Sequence, residues 1–385
     1  MRKDKLMIRV NEGEKELLST VAEAQGLTTA SWARLELVRC ARAHTAKPNK
    51  PIQHNSSDLD LLSLFCGAGG LDQGFREAGF KTRVAIDIDK FAIESFRFNH
   101  PEAAAVVRDI NALTVRDLDD LADGELEPIG VIGGPPCQSF SVSKVHQSDD
   151  DPRHLLAEKY AALLDKLNRR RPISFFLFEN VPGLLGARHR HRYENFKLLF
   201  EKAGFNVHEA VLNAKNYGVP QDRPRVFIVG INQKRHPHKK WVPPPEEARV
   251  LTVRDAIKGL PEPVRNAPGL DPETFPVHAN HWCLVPRSEK FRNGLLKQGE
   301  MPGRCFRTLP WDQPSWTVAY GHREVHVHPN GIRRLSVYEA MLLQSFPKTY
   351  RLKGNMSAQI RLVSEAVPPR LAWHLANSIR ACLGI

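Results

Sequence analysis

LDLLSLFCGAGGLDQGF, residues 59–75, decides how this chain folds. An apolar run stops at a cluster of glycines, and apolar residues then recur at helical spacing, so the stretch predicts a strand, a tight turn and a helix. Gly67, Gly69 and Gly70 let the backbone approach a bound group closely, and the helix N-terminus behind them favours negative charge. This is the pattern of the first βα unit of a nucleotide-binding sheet. The next run, TRVAIDID at 82–89, ends in Asp87, about twenty residues after the glycines, the distance at which a carboxylate meets ribose hydroxyls. VVRDINAL at 106–113 then brings Asp109 and Ile110. Either aspartate, taken singly, is equally well a strand-end or cap residue.

GVIGG at 130–134 is another short buried run. It stops where Gly133 and Gly134 allow unusual dihedrals and Pro135 and Pro136 forbid helix, so Cys137, within IGGPPCQSFSVS at 132–143, sits on a stiff turn. Most buried cysteines are small apolar fillers, but this punctuation argues for a presented thiol. Residues 138–153 carry serines and charges without a period and read as a long loop. HLLAEKYAALLDKLNRRR at 154–171 has the spacing of an amphipathic helix, and PISFFLFENVPG at 172–183 reads as a core strand ending in Glu179 and Asn180. A carboxyl at a strand end beside an aromatic core has a raised proton affinity, which suits a hydrogen bond to a neutral ring nitrogen; the plainer alternative is a glutamate capping a turn. The 42 residues from Cys137 to Glu179 fit one βαβ step. KNYGVPQDRPRVFIVG at 215–230 adds Gln221, Arg223 and Arg225 ahead of another buried run, and alternate residues on a strand share a face, so both arginines are expected to point toward the site.

The 385 residues carry a net charge of +12, with a pI near 9.5, which favours a polyanionic partner. No apolar run approaches a membrane span. The basic start, MRKDKLMIRV, is followed by NEGEKE rather than an apolar stretch, so a cytoplasmic, nucleoid-associated protein is expected. Six cysteines (Cys40, Cys66, Cys137, Cys283, Cys305, Cys382) lack any CxxC pair, so neither a disulfide framework nor a zinc cluster is expected. The pairs His236 with His238 and His326 with His328 lack further ligands at zinc spacing, and no metal is expected.

Residues 1–45 read as a separate module. KLMIRV alternates like a strand, with Lys5, Met7 and Arg9 on one face. Asn11 and Glu14 have capping-box spacing before Leu17, Leu18 and Val21, Gly26 ends that helix, and Ser31 begins a second with Trp32, Leu35 and Val38 on one side. A polar, proline-bearing linker follows at 46–58. The order resembles a ribbon-helix-helix module, which works as a dimer reading the major groove; a helical extension that only packs or dimerises fits the same pattern.

Taken together, LFCGAGGLDQGF, GGPPCQSFS, FENVPG and QxRxR, in this order, resemble the DNA cytosine-5 methyltransferases, and RTLPWDQPSWTV at 307–318 and AVPP at 366–369 match the family's closing segments. The resemblance implies an α/β, Rossmann-like fold, a mostly parallel sheet with helices on both faces, that binds S-adenosylmethionine without a metal. It implies that Cys137 is the nucleophile, with Glu179, Gln221, Arg223 and Arg225 around the base. Phe65, Gly67, Gly69, Gly70, Asp87, Ile88, Asp109, Ile110, Pro135 and Glu365 are then the cofactor residues, and Pro136, Gln138, Ser143, Arg153 and Asn180 the DNA or target-base contacts. The family usually has glutamate where Asp87 stands, and Gly-Asn where this chain has Ser364-Glu365.

The domains expected are the N-terminal module, a catalytic and cofactor-binding domain at 59–231, a target-recognition domain at 232–306, and a return to the catalytic body at 307–385. The recognition segment is proline-rich and aperiodic and carries 13 Lys and Arg against 8 Asp and Glu, suited to phosphates. The partner expected is double-stranded DNA, with a homodimer through the N-terminal module and a cognate restriction endonuclease acting on the same sequence. An RNA cytosine methyltransferase, or an inactive DNA-binding regulator on the same scaffold, fits the shared motifs as well.

Overall fold

Side chains alternate along a strand, and the runs noted above are long enough to bury both faces of a sheet. In the computed structural model, which describes residues 10–24, 28–30, 32–33, 59–136, 155–301, 306–317 and 326–385, they do so. The chain divides into two units, Met1–Ser57 and Asp58–Ile385.

In the first unit, α1 (Glu12–Ala24) opens with the expected reciprocal cap: Asn11 Oδ1 accepts from Glu14 N at 2.9 Å and Glu14 Oε2 accepts from Asn11 N at 2.8 Å. Thr29 and Ala30 are already helical and Trp32 N donates to Thr28 O, so the second helix starts before Ser31. The strand expected at 5–10 and the linker lie largely outside the described residues, as do Gly26 and Ser31.

The second unit is built on a seven-stranded sheet of order β3-β2-β1-β4-β5-β8-β6. Its strands are β1 (Asp60–Leu64), β2 (Lys81–Asp87), β3 (Ala104–Val107), β4 (Gly130–Gly133), β5 (Phe175–Asn180), β6 (Phe205–Asn213) and β8 (Pro224–Asn232). β1 to β5 are parallel to one another, and β8 runs antiparallel between β5 and β6. One face buries Leu62, Val131, Phe176, Phe178 and Ile228 under α4 (Val115–Ala122), α5 (Leu155–Arg170) and α6 (Arg190–Lys202). The other buries Leu61, Ile132, Phe175, Leu177 and Val229 under α2 (Gly70–Glu77) and α10 (Pro369–Leu383). At the β3 end, α3 (Lys90–Asn99) packs Ile93 and Phe96 on Ala85 and Ala105.

Beyond Asn232 regular structure is sparse. β7 (Gln221–Asp222) pairs with β12 (Ser315–Trp316), β9 (Val264–Arg265) with β10 (Trp282–Cys283), and β11 (Arg307–Thr308) with β13 (His326–Val327). The segment shares its core with the return: Val253 and Ile257 of α7 (Val253–Ile257) pack with Leu309, Leu335 and Leu343, and Trp282 packs with Val337 and Met341 of α8 (Val337–Leu343). α9 (Met356–Glu365) completes this layer and brings the chain back beside the glycine turn.

Candidate active site

The strand order reverses between β1 and β4, and an open α/β sheet receives its ligand beyond the carboxyl ends at such a point. A cavity of about 500 Å³ lies there, within the usual range for a small-molecule site. Its walls hold Phe65, Gly67, Gly70, Asp87, Ile88, Asp109, Ile110, Pro135, Pro136, Glu179, Arg225 and Glu365 from the sequence-predicted set.

The glycine turn is the most constrained part. Phe65 itself has φ 53°, unusual for a bulky residue, and Gly67 and Gly69 have φ 53° and 87°. Asp87 fixes the turn by accepting from Gly67 N at 2.8 Å and from Asp89 N at 2.9 Å, one bond to each carboxylate oxygen. Burial pushes the Asp87 carboxyl up against these bonds. Gly69 is set behind the turn and does not line the cavity. A Cβ there would stand 2.7 Å from the Tyr350 hydroxyl and 2.9 Å from His100 Nε2. The buried Tyr350 hydroxyl donates to Ala68 O and lies 3.3 Å from His100 Nε2. Burial, with Arg76 nearby, pushes His100 down to about 3, so a neutral ring takes this place. Asp109 Oδ1 caps the short turn Ile110–Ala112 through Asn111 N at 2.9 Å.

Across the cavity, Glu179 is 9% exposed and its Oε1 lies 3.1 Å from Arg225 Nε. Burial raises the proton affinity of Glu179, and Arg225, then Arg223, oppose that rise. A Cβ on Gly134 would sit 2.7 Å from Glu179 Oε2, so the absence of a side chain at 134 lets the carboxylate lie against the Gly-Pro-Pro turn. Pro136, the last described residue before Cys137, lines the cavity with Glu179. Cys137, Gln138, Ser143 and Arg153 lie outside the described residues.

Three more expected site residues do not line the cavity. Asn180, expected as a DNA or target-base contact, is fully buried; its amide donates to Pro135 O at 3.3 Å and its Oδ1 accepts from Val181 N. Arg223, 1% exposed, donates through Nη2 to Ser364 O at 2.8 Å and Ala366 O at 2.9 Å. Gln221 is fully buried in β7 opposite Ser315. The alternation argument fails because the strand is broken: Gln221 belongs to β7 and Arg225 to β8, with Arg223 between them.

Other cavity residues carry no motif that would single them out in the sequence. Arg361 pairs with Asp89 and lies 3.5 Å from Glu365, four residues on, a helical spacing the sequence does carry. Burial pushes Glu365 up to about 7, and Asp87 and Asp89 add to the rise while Arg361 opposes it. Asp72, held by Ser63 at 3.0 Å and Thr82 at 2.8 Å, is pushed up to about 6 by burial. No described helix is long and apolar enough to cross a membrane, and no group of three metal-ligating side chains occurs among the described residues.

A parallel sheet closed by one antiparallel strand, with the glycine turn and two carboxylates at its switch point, defines an α/β methyltransferase body. Residues 59–381 match the model of the C-5 cytosine-specific DNA methylases, and the chain belongs to that family. It is therefore a DNA cytosine-5 methyltransferase. It is similar to the Type II methyltransferase M.MthTI of Methanothermobacter thermautotrophicus, 34% identical over 345 residues, covering 84% of this chain and 97% of the relative. M.FnuDI of Fusobacterium nucleatum is 34% identical over 348 residues, 84% of this chain and 95% of the relative. In fold it is similar to S. pombe Dnmt2 methyltransferase, with a TM-score of 0.60 at 18% identity over 85% of this chain and 100% of that one.

Proposed function

We propose that this enzyme methylates carbon 5 of cytosine within a specific duplex sequence through a transient bond between Cys137 and a base rotated out of the helix. The observation that carries the reading is the buried Glu179–Arg225 pair, 3.1 Å apart, seated against the Gly-Pro-Pro turn that leads directly into Cys137. Carbon 5 of cytosine is a poor nucleophile, and adding a thiolate to carbon 6 enriches it. In this reading Cys137 adds to carbon 6 while Glu179, whose raised proton affinity favours a shared proton, hydrogen-bonds ring nitrogen 3. Arg225 holds Glu179 and the base oxygen. After methyl transfer, loss of the carbon 5 proton lets the Cys137 bond break. A stacked base offers none of these atoms, so eversion, at a cost of a few kcal/mol, precedes the chemistry.

The residues present fit S-adenosylmethionine. Asp87 has lone pairs left for ribose hydroxyls, the second oxygen of Asp109 can accept from the adenine amino group, and Phe65, Ile88 and Ile110 offer apolar surface to a ring. When bound, the cofactor supplies an electrophilic methyl group. The Type II relatives support a role beside a restriction endonuclease of the same specificity. The proposal extends to a homodimer through the N-terminal module, where the capped α1 and the helix start after it match the helix order expected of a ribbon-helix-helix module.

Cys137→Ser should bind S-adenosylmethionine yet transfer no methyl group, and duplex carrying 5-fluorocytosine at the target should trap a lasting adduct on Cys137, read by mass spectrometry. Substantial transfer by the serine variant would sink the reading. Bisulfite sequencing of DNA from expressing cells identifies the target for these assays.

A further inference from the structure

Basic side chains gather at the end of the sheet away from the cavity. β8 pairs Val226 with Asn180 and Ile231 with Phe175, so the chain leaves β8 at the end opposite Glu179, roughly 15 Å away by strand rise. The segment that follows, QKRHPHKK at 233–240, carries Lys234, Arg235, Lys239 and Lys240 and no acid. It opens the stretch expected at 232–306 to recognise the target, but the chain leaves β8 at the end away from Glu179, which sets the segment apart from that role.

This segment is a fastened turn. Asn232 Oδ1 accepts from Lys234 N at 2.9 Å and Arg235 N at 3.1 Å, Gln233 N donates to Gly204 O, and Arg235 Nη1 donates to Pro172 O at 2.8 Å. All four cations are exposed, and Lys234, Lys239 and Lys240 have no acidic partner among the described residues. Neighbouring elements carry both signs: Arg171 acts on Arg235 but is itself paired with Glu127, and His208 feels Glu209 as well as Lys240 and Lys197, so the uncompensated charge is that of Lys234, Lys239 and Lys240. His236, between Arg235 and Lys239, is pushed down by burial first and by these two cations second. Uncompensated like charge held on one fixed turn attracts a polyanion.

We propose that the turn at 233–240 is a second, sequence-independent binding surface for the phosphates of duplex DNA, engaging DNA outside the segment held at the cavity. The occupant is duplex because the turn has no Phe, Tyr or Trp on which unpaired bases would stack. A long DNA already bound at the cavity also presents its distant phosphates at high effective concentration. This surface needs no target cytosine and so goes beyond the methylation reading.

The test uses the full chain with Lys234→Glu, Lys239→Glu and Lys240→Glu together, beside a triple Lys→Arg control. On a long duplex lacking the target, measured by anisotropy across a salt series, the glutamate variant should bind at least ~10-fold more weakly at low salt. Its log–log salt slope should be shallower by about 2.7, at roughly 0.9 for each phosphate no longer neutralised. The arginine control should match wild type, and the methylation rate on a short duplex carrying one target should be unchanged in both. Unaltered slope and affinity on the long duplex would overturn the proposal. So would an equal fall in rate on the short duplex, which would put these cations at the target site, or weakening confined to single-stranded RNA or acidic protein.

Discussion

Glu179 sits where burial favours its protonated form and Arg225 favours its charged form, so in the proposed reaction a proton between it and a ring nitrogen would be poised rather than fixed. Glu179→Gln preserves shape and one hydrogen bond but cannot donate a carboxyl proton. Single-turnover methyl incorporation should fall by about 10²–10⁴-fold, while S-adenosylmethionine affinity measured by calorimetry stays near wild type. Glu365 shows a different use of a carboxyl, since it lines the cavity but is given no proton to share with the base. Its folded-state affinity is raised to about 7 from 4.5, so the folded protein binds more protons than the unfolded chain between those values. The stability this group provides is therefore present below about 4.5 and is lost as pH rises through 7. Glu365→Gln should raise Tm at pH 8 and leave it little changed at pH 4, by scanning calorimetry; an equal shift at both would remove the carboxyl as the cause. Glu179 is legible in sequence because it ends an aromatic run at a βαβ distance from Cys137. The Asp89–Arg361 pair is not, because 272 residues separate its members and neither stands in a motif.

At the scale of elements, the glycine turn depends on a support it does not contain. Tyr350 and His100 pack behind Gly69, and the tyrosine hydroxyl satisfies the carbonyl of Ala68. Tyr350→Phe leaves that carbonyl unpaired in a buried place, a loss of about 1–3 kcal/mol. Because the turn shapes the cavity wall, KM for S-adenosylmethionine should rise with kcat nearly unchanged; a fall in kcat alone would contradict a positioning role. The strands and helices around the cavity can be read from apolar period and punctuation. The QxRxR stretch misleads because period says which residues alternate, not whether one strand continues. At the break between β7 and β8, Arg223 donates to the carbonyls of Ser364 and Ala366 behind the cavity wall while still acting on Glu179. Asn180 misleads for a related reason: a polar residue at the end of a buried run signals a turn or a site equally, and here it braces the carbonyl of Pro135.

For the whole molecule, the order of motifs conveys the α/β class, but not that β8 runs antiparallel, since a doubly buried strand carries no mark of its direction. Nor does composition show that the proline-rich segment shares apolar clusters with the return. Met1–Ser57 forms a unit of its own. Deleting residues 1–45 should convert a dimer to a monomer by light scattering and leave the methylation rate on a short duplex within about two-fold; an unchanged mass would dismiss the dimerising role. The reciprocal cap of Asn11 and Glu14 contributes to that helix on the order of 1 kcal/mol.

α10 packs Leu371, Ala372 and Leu375 into the same cluster as Leu71 and Phe75 of α2, and Arg361, Glu365 and Val367 complete the cavity wall beside the glycine turn. One wall of the pocket thus joins residues about 290 positions apart, the separation of Gly70 and Arg361 in the chain. A chain cut before α9 keeps Phe65, Asp87 and Asp109 but lacks Arg361, Glu365 and Val367 of the same cavity, so a C-terminal truncation should weaken S-adenosylmethionine binding measured by calorimetry.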